Sequence, residues 1–169
     1  MLFSNVSIEN IETILLDYQS KTSVQLVQVL SKEYWKISPT FIPASPGYEQ
    51  KITGKTAGLV IGDRAFELKN KFKFAYDLGM EWKQFTGLPF VFACWVANIH
   101  VEVDLLNKLN KALSVGVNQI SDVVKQLDTG NIPNLDMVRY LHQNIHFNLD
   151  EDKKEGLNTF LNYLSECNN

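Results

Sequence analysis

In the first half of the chain apolar positions gather in short clusters, and in the second half they recur at helical spacing. Residues 11–16, with Ile11, Ile14, Leu15 and Leu16, read as a strand ending at Asp17. After a polar turn, Thr22-Ser23-Val24-Gln25 matches a capping box, in which the threonine hydroxyl and the glutamine side chain satisfy orphan amides. The helix it opens is predicted to run to about Tyr34. Val24, Val27, Leu30 and Tyr34 share one face, and Leu26 and Val29 widen it. Pro39 forces extended backbone, so residues 40–42 form a short strand. Residues 48–53 read as a short helix ended by Gly54. Residues 57–61 are a compact apolar run, the pattern of a strand buried on both faces. A helical turn over 64–68, an alternating strand over 72–77 and a short helix over 78–85 with Trp82 inward follow. Residues 88–96, from Leu88 through Phe90, Phe92 and Cys94 to Val96, carry the strongest strand pattern of all. Pro89 sits near the start, where a missing N–H is tolerated.

Beyond Ala97 the pattern is helical over 100–115, 117–127, 135–144 and 151–167. Gly116, then Gly130 with Pro133, then Asn148 separate these stretches. Strand–helix alternation followed by a helical tail predicts an α/β fold. Two features fit poorly. Leu2-Phe3-Ser4 is an apolar fragment with no strand before it to pair with, and the tail helices need a sheet to cover.

Composition narrows the function classes. The chain has 169 residues, 45% hydrophobic and 21% charged, with a net charge of −3. This balance argues against a nucleic-acid protein. No apolar run reaches the roughly 18 residues a membrane span needs, and the N-terminus lacks the basic and apolar regions of a signal peptide. Cys94 and Cys167 form no CxxC pair and no zinc spacing. Cys94, inside an apolar run, is expected to be a buried free thiol, which fits a reducing compartment.

Three places could carry chemistry. The turn from Asp17 to Ser23 joins a strand end to a helix start, where free N–H groups and the helix dipole suit a carboxylate or phosphate. Ser20, Thr22 and Ser23 add hydroxyls, although ordinary helix capping explains the same residues. Asp63 follows another buried strand and could orient a substrate hydroxyl, pair with Arg64 or cap the next turn. Aromatic residues near Thr86-Gly87-Leu88-Pro89-Phe90 either wall a ring-shaped ligand or belong to the core. His142 and His146 are four apart, but Gln143 stands where a zinc-protease helix needs glutamate and no third ligand is placed, so no metal site is expected.

Taken in order, the pieces resemble one family. Leu16-Asp17, Ser20-Lys21-Thr22-Ser23-Val24, Ile61-Gly62-Asp63-Arg64-Ala65, Tyr76-Asp77-Leu78-Gly79, Trp82-Lys83 and Thr86-Gly87-Leu88-Pro89 through Trp95-Val96 are similar to the chorismate dehydratases. These enzymes open the futalosine branch of menaquinone synthesis. The dihydroxynaphthoate synthases of the same pathway share several pieces, but the Phe92-Ala93-Cys94-Trp95 ending looks more like the dehydratase. The resemblance implies a type II periplasmic-binding-protein-like fold with the ligand in the cleft between two lobes. It implies that residues 1–87 are the second lobe, with a substrate-facing helix N-terminus. Residues 88–169 are then the hinge strand and helical tail of the first lobe, whose N-terminal part is missing here. It further implies chorismate as a small-molecule substrate, a cytoplasmic lyase, and no cofactor or metal, since aromatisation drives the loss of water. Binding roles carry over to Ser20, Thr22, Ser23 and Asp63; no catalytic base does. The chain alone is expected to be inactive on chorismate and poorly soluble or homo-oligomeric, without membrane or nucleic-acid partners. A solute-binding module of the same fold, the sister synthase and a non-functional fragment are the competing readings.

Overall fold

The computed structural model describes residues 1–68, 70–127 and 134–167. Five short strands form one mixed sheet: β1 (Leu2–Ser4), β2 (Thr13–Leu16), β3 (Thr40–Pro43), β4 (Thr56–Leu59) and β5 (Phe74–Tyr76). Their spatial order is β3-β2-β4-β1-β5. β2 runs parallel to β3 and to β4, whereas β1 runs antiparallel to β4 and β5. The strands at 13–16, 40–43, 56–59 and 74–76 bear out the sequence pattern. The first strand corrects it. Leu2 pairs with both Leu59 and Tyr76, so the fragment without an obvious partner lies inside the sheet, joined to strands that follow it in sequence.

Side-chain alternation divides the core into two layers. Leu2, Ile14, Leu16, Ala57 and Leu59 face one side, together with Leu26, Val27 and Leu30 of the first helix. Phe3, Leu15 and Val60 face the other, with Tyr48, Ile52 and Leu68. The first layer is covered by α1 (Lys21–Val29), α3 (Leu78–Thr86) and α7 (Glu151–Cys167). The second is covered by a 3₁₀ turn, Tyr48–Lys51, and by α2 (Asp63–Leu68). Trp82 of α3 is fully buried, with Phe90 and Phe160 standing edge-on to it at 5.5 and 5.8 Å. Gly156 lets α7 come this close: a Cβ there would lie 2.2 Å from the Pro89 carbonyl oxygen.

The first helix departs from the prediction at both ends. Its cap is Ser20, whose backbone is extended and whose Oγ accepts from the Ser23 amide at 3.0 Å. Thr22 is therefore the second helical residue and not the cap. At the far end α1 passes into a π-helical turn, Leu30–Tyr34, where the Trp35 amide donates to the Leu30 carbonyl at 2.8 Å. The Ser31 hydroxyl donates back to the Val27 carbonyl, a contact that loosens helical geometry.

The largest correction concerns residues 88–96. They form no strand, and from Phe92 onward they are exposed, Cys94 included. Apolar, β-prone residues make a strand only when a neighbouring strand completes the ladder, and none is hydrogen-bonded to them among the described residues. The expected buried thiol is lost with the expected strand.

The chain divides into two compact units, residues 1–93 with 151–169, and residues 94–150. The second unit contains α4 (Val103–Asn118), α5 (Ile120–Gln126) and α6 (Asn134–Gln143). Ile120 and Val124 of α5 are buried, whereas α4 has no buried residue and leaves Leu105, Leu106, Leu109 and Leu113 exposed. Among the described residues no helix is long and apolar enough to cross a membrane.

Candidate functional site

β2 delivers the chain to Asp17, and α1 begins four residues later. The connection is a tight one because Asp17 Oδ1 accepts from the Gln19 amide at 2.7 Å, closing an Asx turn. Ser20 then caps the helix. Its hydroxyl satisfies the Ser23 amide, while the amides of Lys21 and Thr22, at the first two helical positions, have no acceptor within the helix. The positive end of the helix dipole therefore opens on the end of the parallel strands β2 and β3.

A cleft of about 310 Å³ lies at this point, lined by Leu16, Asp17, Tyr18, Ser20, Lys21, Val24, Gln25, Pro43 and Ala44. Ser20 stands in its wall. Thr22 is half-buried and Ser23 is buried in the helix's first turn, so the hydroxyl that reaches the cleft lining is that of Ser20. Lys21, which the sequence pattern places in a polar turn, is the first helical residue and adds a cation to the lining. Asp63 opens α2 after Gly62, whose φ of 63° is left-handed. The Asp63 side chain lies outside what the structure describes. The aromatic residues near 86–90 fall in the core, where Phe90 packs on Trp82 and Phe160. Thr86 serves the end of α3: its Oγ1 donates to the Trp82 carbonyl and accepts from the Leu88 amide.

Behind the cleft is a polar network that the sequence reading missed. The Asp17 side chain is fully buried. Its Oδ2 accepts from Arg64 Nη2 at 2.5 Å and from the Tyr48 hydroxyl at 2.8 Å. Arg64 also donates to Glu49 at 2.8 Å and to the Gln19 side chain at 2.9 Å. The Tyr48 hydroxyl lies equally within reach of the Leu59 carbonyl, so one proton faces two acceptors. Burial, reinforced by the hydrogen bond and negative charge of Asp17, holds the Tyr48 phenol protonated far above the ordinary tyrosine range. A charge as deeply buried as that of Asp17 persists only when paired and hydrogen-bonded, and Arg64, Tyr48 and the Gln19 amide supply those partners. The one available signal was an arginine directly after the buried run 57–61 and its Gly-Asp turn.

The arrangement sets the start of α1, where the first amides have no acceptor within the helix, beside a small cleft lined by Ser20, Lys21 and the aromatic residue Tyr18. That is donor chemistry suited to a carboxylate on a compact organic molecule. A family model described as menaquinone biosynthesis matches residues 1–166 of the chain.

Proposed function

Because this chain belongs to the menaquinone biosynthesis family, we propose that the cleft at the start of α1 binds chorismate, and that the protein serves the dehydration of chorismate to an enolpyruvyl-oxy-benzoate. The reaction removes one ring C–H proton and the neighbouring hydroxyl as water, and the electron pair left behind completes an aromatic ring. The protein's task is then to hold two carboxylates and the ring in one orientation, with preorganised donors in place of solvent. The observation that carries the reading is the start of α1 at the cleft, where the amides of Lys21 and Thr22 have no acceptor within the helix and Ser20 and Lys21 line the wall, a charge-assisted clamp for one carboxylate. The two-lobed periplasmic-binding-protein arrangement belongs to the same proposal. The apolar, unpaired segment 88–96 and the uncovered apolar face of α4 support it, since both have the pattern of elements that pack against a further sheet.

The test is calorimetric titration of chorismate, alongside the substrate of the sister naphthoate synthase, into wild type, Ser20→Ala and Thr22→Val. Chorismate is expected to bind, and the alanine variant to weaken it by about 1–3 kcal/mol, the cost of a charged acceptor left short of one donor. Because Ser20 also caps the helix, its loss should lower stability by about 1 kcal/mol. Thr22→Val, whose hydroxyl lies outside the cleft lining and which keeps its amide, should change neither binding nor stability by more than about 0.5 kcal/mol. Preferential binding of the sister substrate would move the assignment to that enzyme. Chorismate binding that is unchanged in Ser20→Ala would remove the Ser20 hydroxyl from the site.

A further inference from the structure

Tyr18 is the one aromatic residue in the cleft wall, and it is 46% exposed. An exposed tyrosine on a turn ordinarily samples several rotamers, and fixing it costs entropy. Here the surroundings fix it. The Arg64 guanidinium carbon lies 5.2 Å from the centre of the Tyr18 ring, within cation–π range. Arg64 is itself held at three points: by Asp17, by Gln19 and by Glu49. Asp17 and Gln19 are the residues on either side of Tyr18. The turn is therefore tied to Arg64 before and after the ring, and the ring rests against the same guanidinium.

We propose that Tyr18 is the ring-recognition residue of this cleft and that Arg64 is a positioning residue for it, so that a cyclic unsaturated carboxylate lays its ring against Tyr18 while a carboxylate sits at the start of α1. This rests on the reading of the cleft as a chorismate site. The ring is what separates such a ligand from an acyclic dicarboxylate, which engages the anion end alone. Ring-on-ring contact prefers offset or edge-on geometry and needs a partner that does not swing away, which the Arg64 anchorage provides.

The test uses two probes on the whole chain, chorismate and succinate, titrated by calorimetry into wild type, Tyr18→Ala, Tyr18→Phe, Arg64→Lys and the Tyr18→Ala/Arg64→Lys double variant. Tyr18→Ala is expected to weaken chorismate about fivefold to tenfold, the size of one ring contact and its buried area, and succinate by less than about twofold. Tyr18→Phe, which keeps the ring, restores most of the loss. Arg64→Lys is expected to weaken chorismate in the same direction. It should add little once Tyr18 is already alanine, a non-additivity that general loss of stability does not produce. Equal losses for chorismate and succinate in Tyr18→Ala would overturn the proposal, as would wild-type chorismate affinity in that variant; either result leaves the cleft assignment standing. Full additivity of the two substitutions would overturn the role of Arg64. A wild-type chain that binds no chorismate would overturn the cleft assignment and this inference with it.

Discussion

Tyr48 stands with its hydroxyl between the Asp17 carboxylate and the Leu59 carbonyl, and the position has a pH signature. In the fold the phenol keeps its proton well above its ordinary value near 10. The unfolded chain gives that proton up at about pH 10. Above that pH the unfolded state binds fewer protons than the folded one, so stability is undiminished below pH 10 and falls as pH rises past it. Tyr48→Phe should cost about 1–3 kcal/mol at neutral pH, because a buried acceptor loses its donor, and should flatten the alkaline fall. Urea denaturation of both proteins from pH 7 to 11 measures this; parallel curves would show that Tyr48 does not carry the alkaline limb. Part of this site was legible in the sequence. Asp17 as a strand end and Ser20 beside a helix start followed from local pattern. The cap was misplaced because Ser20 and Thr22 are both capping residues two apart, and only the extended backbone at Ser20 decides between them. Arg64 was not legible. It lies 47 residues from Asp17, and their pairing follows from the adjacency of β2 and β4, which no local signal encodes.

At the scale of elements, those with a clear periodicity of their own were readable, and those whose existence is decided by a partner strand were not. β2, β4 and α1 carry their own periodicity. β1 is only three residues long and owes its place to β4 and β5, which come much later in the chain. Residues 88–96 fail in the opposite way, with strong strand propensity and no ladder. The contact between α7 and the Leu88–Pro89 backbone tests how tightly this part of the fold is packed. Gly156→Ala places a methyl group 2.2 Å from the Pro89 carbonyl oxygen, and a backbone atom cannot rotate aside. A loss of about 1–3 kcal/mol is expected, as for other overpacked sites, seen as a lowered thermal midpoint. An unchanged midpoint would mean that α7 can shift away freely and that the Trp82–Phe160 contact is loosely held.

For the molecule as a whole, the apolar face of α4 and the exposed Trp95, Val96 and Ile99 are the features a solution experiment meets first. Apolar patches of this kind drive association, so the purified chain is expected to self-associate. Replacing Leu106 and Leu109 together with lysine should lower its mass in light scattering; a monodisperse wild-type monomer would contradict the expectation. The α/β class and the mixed sheet were readable from the order of short apolar runs, whereas the division into residues 1–93 with 151–169 and residues 94–150 was not, because it joins segments far apart in sequence. The central claim, a carboxylate-binding cleft at the start of α1, is tested most directly by a two-dimensional amide NMR titration of the chain with chorismate. The account predicts that the largest shifts fall on the amides of Lys21 and Thr22, with smaller ones at Tyr18 and Ser20. Saturating chorismate that leaves those four amides unmoved would contradict it.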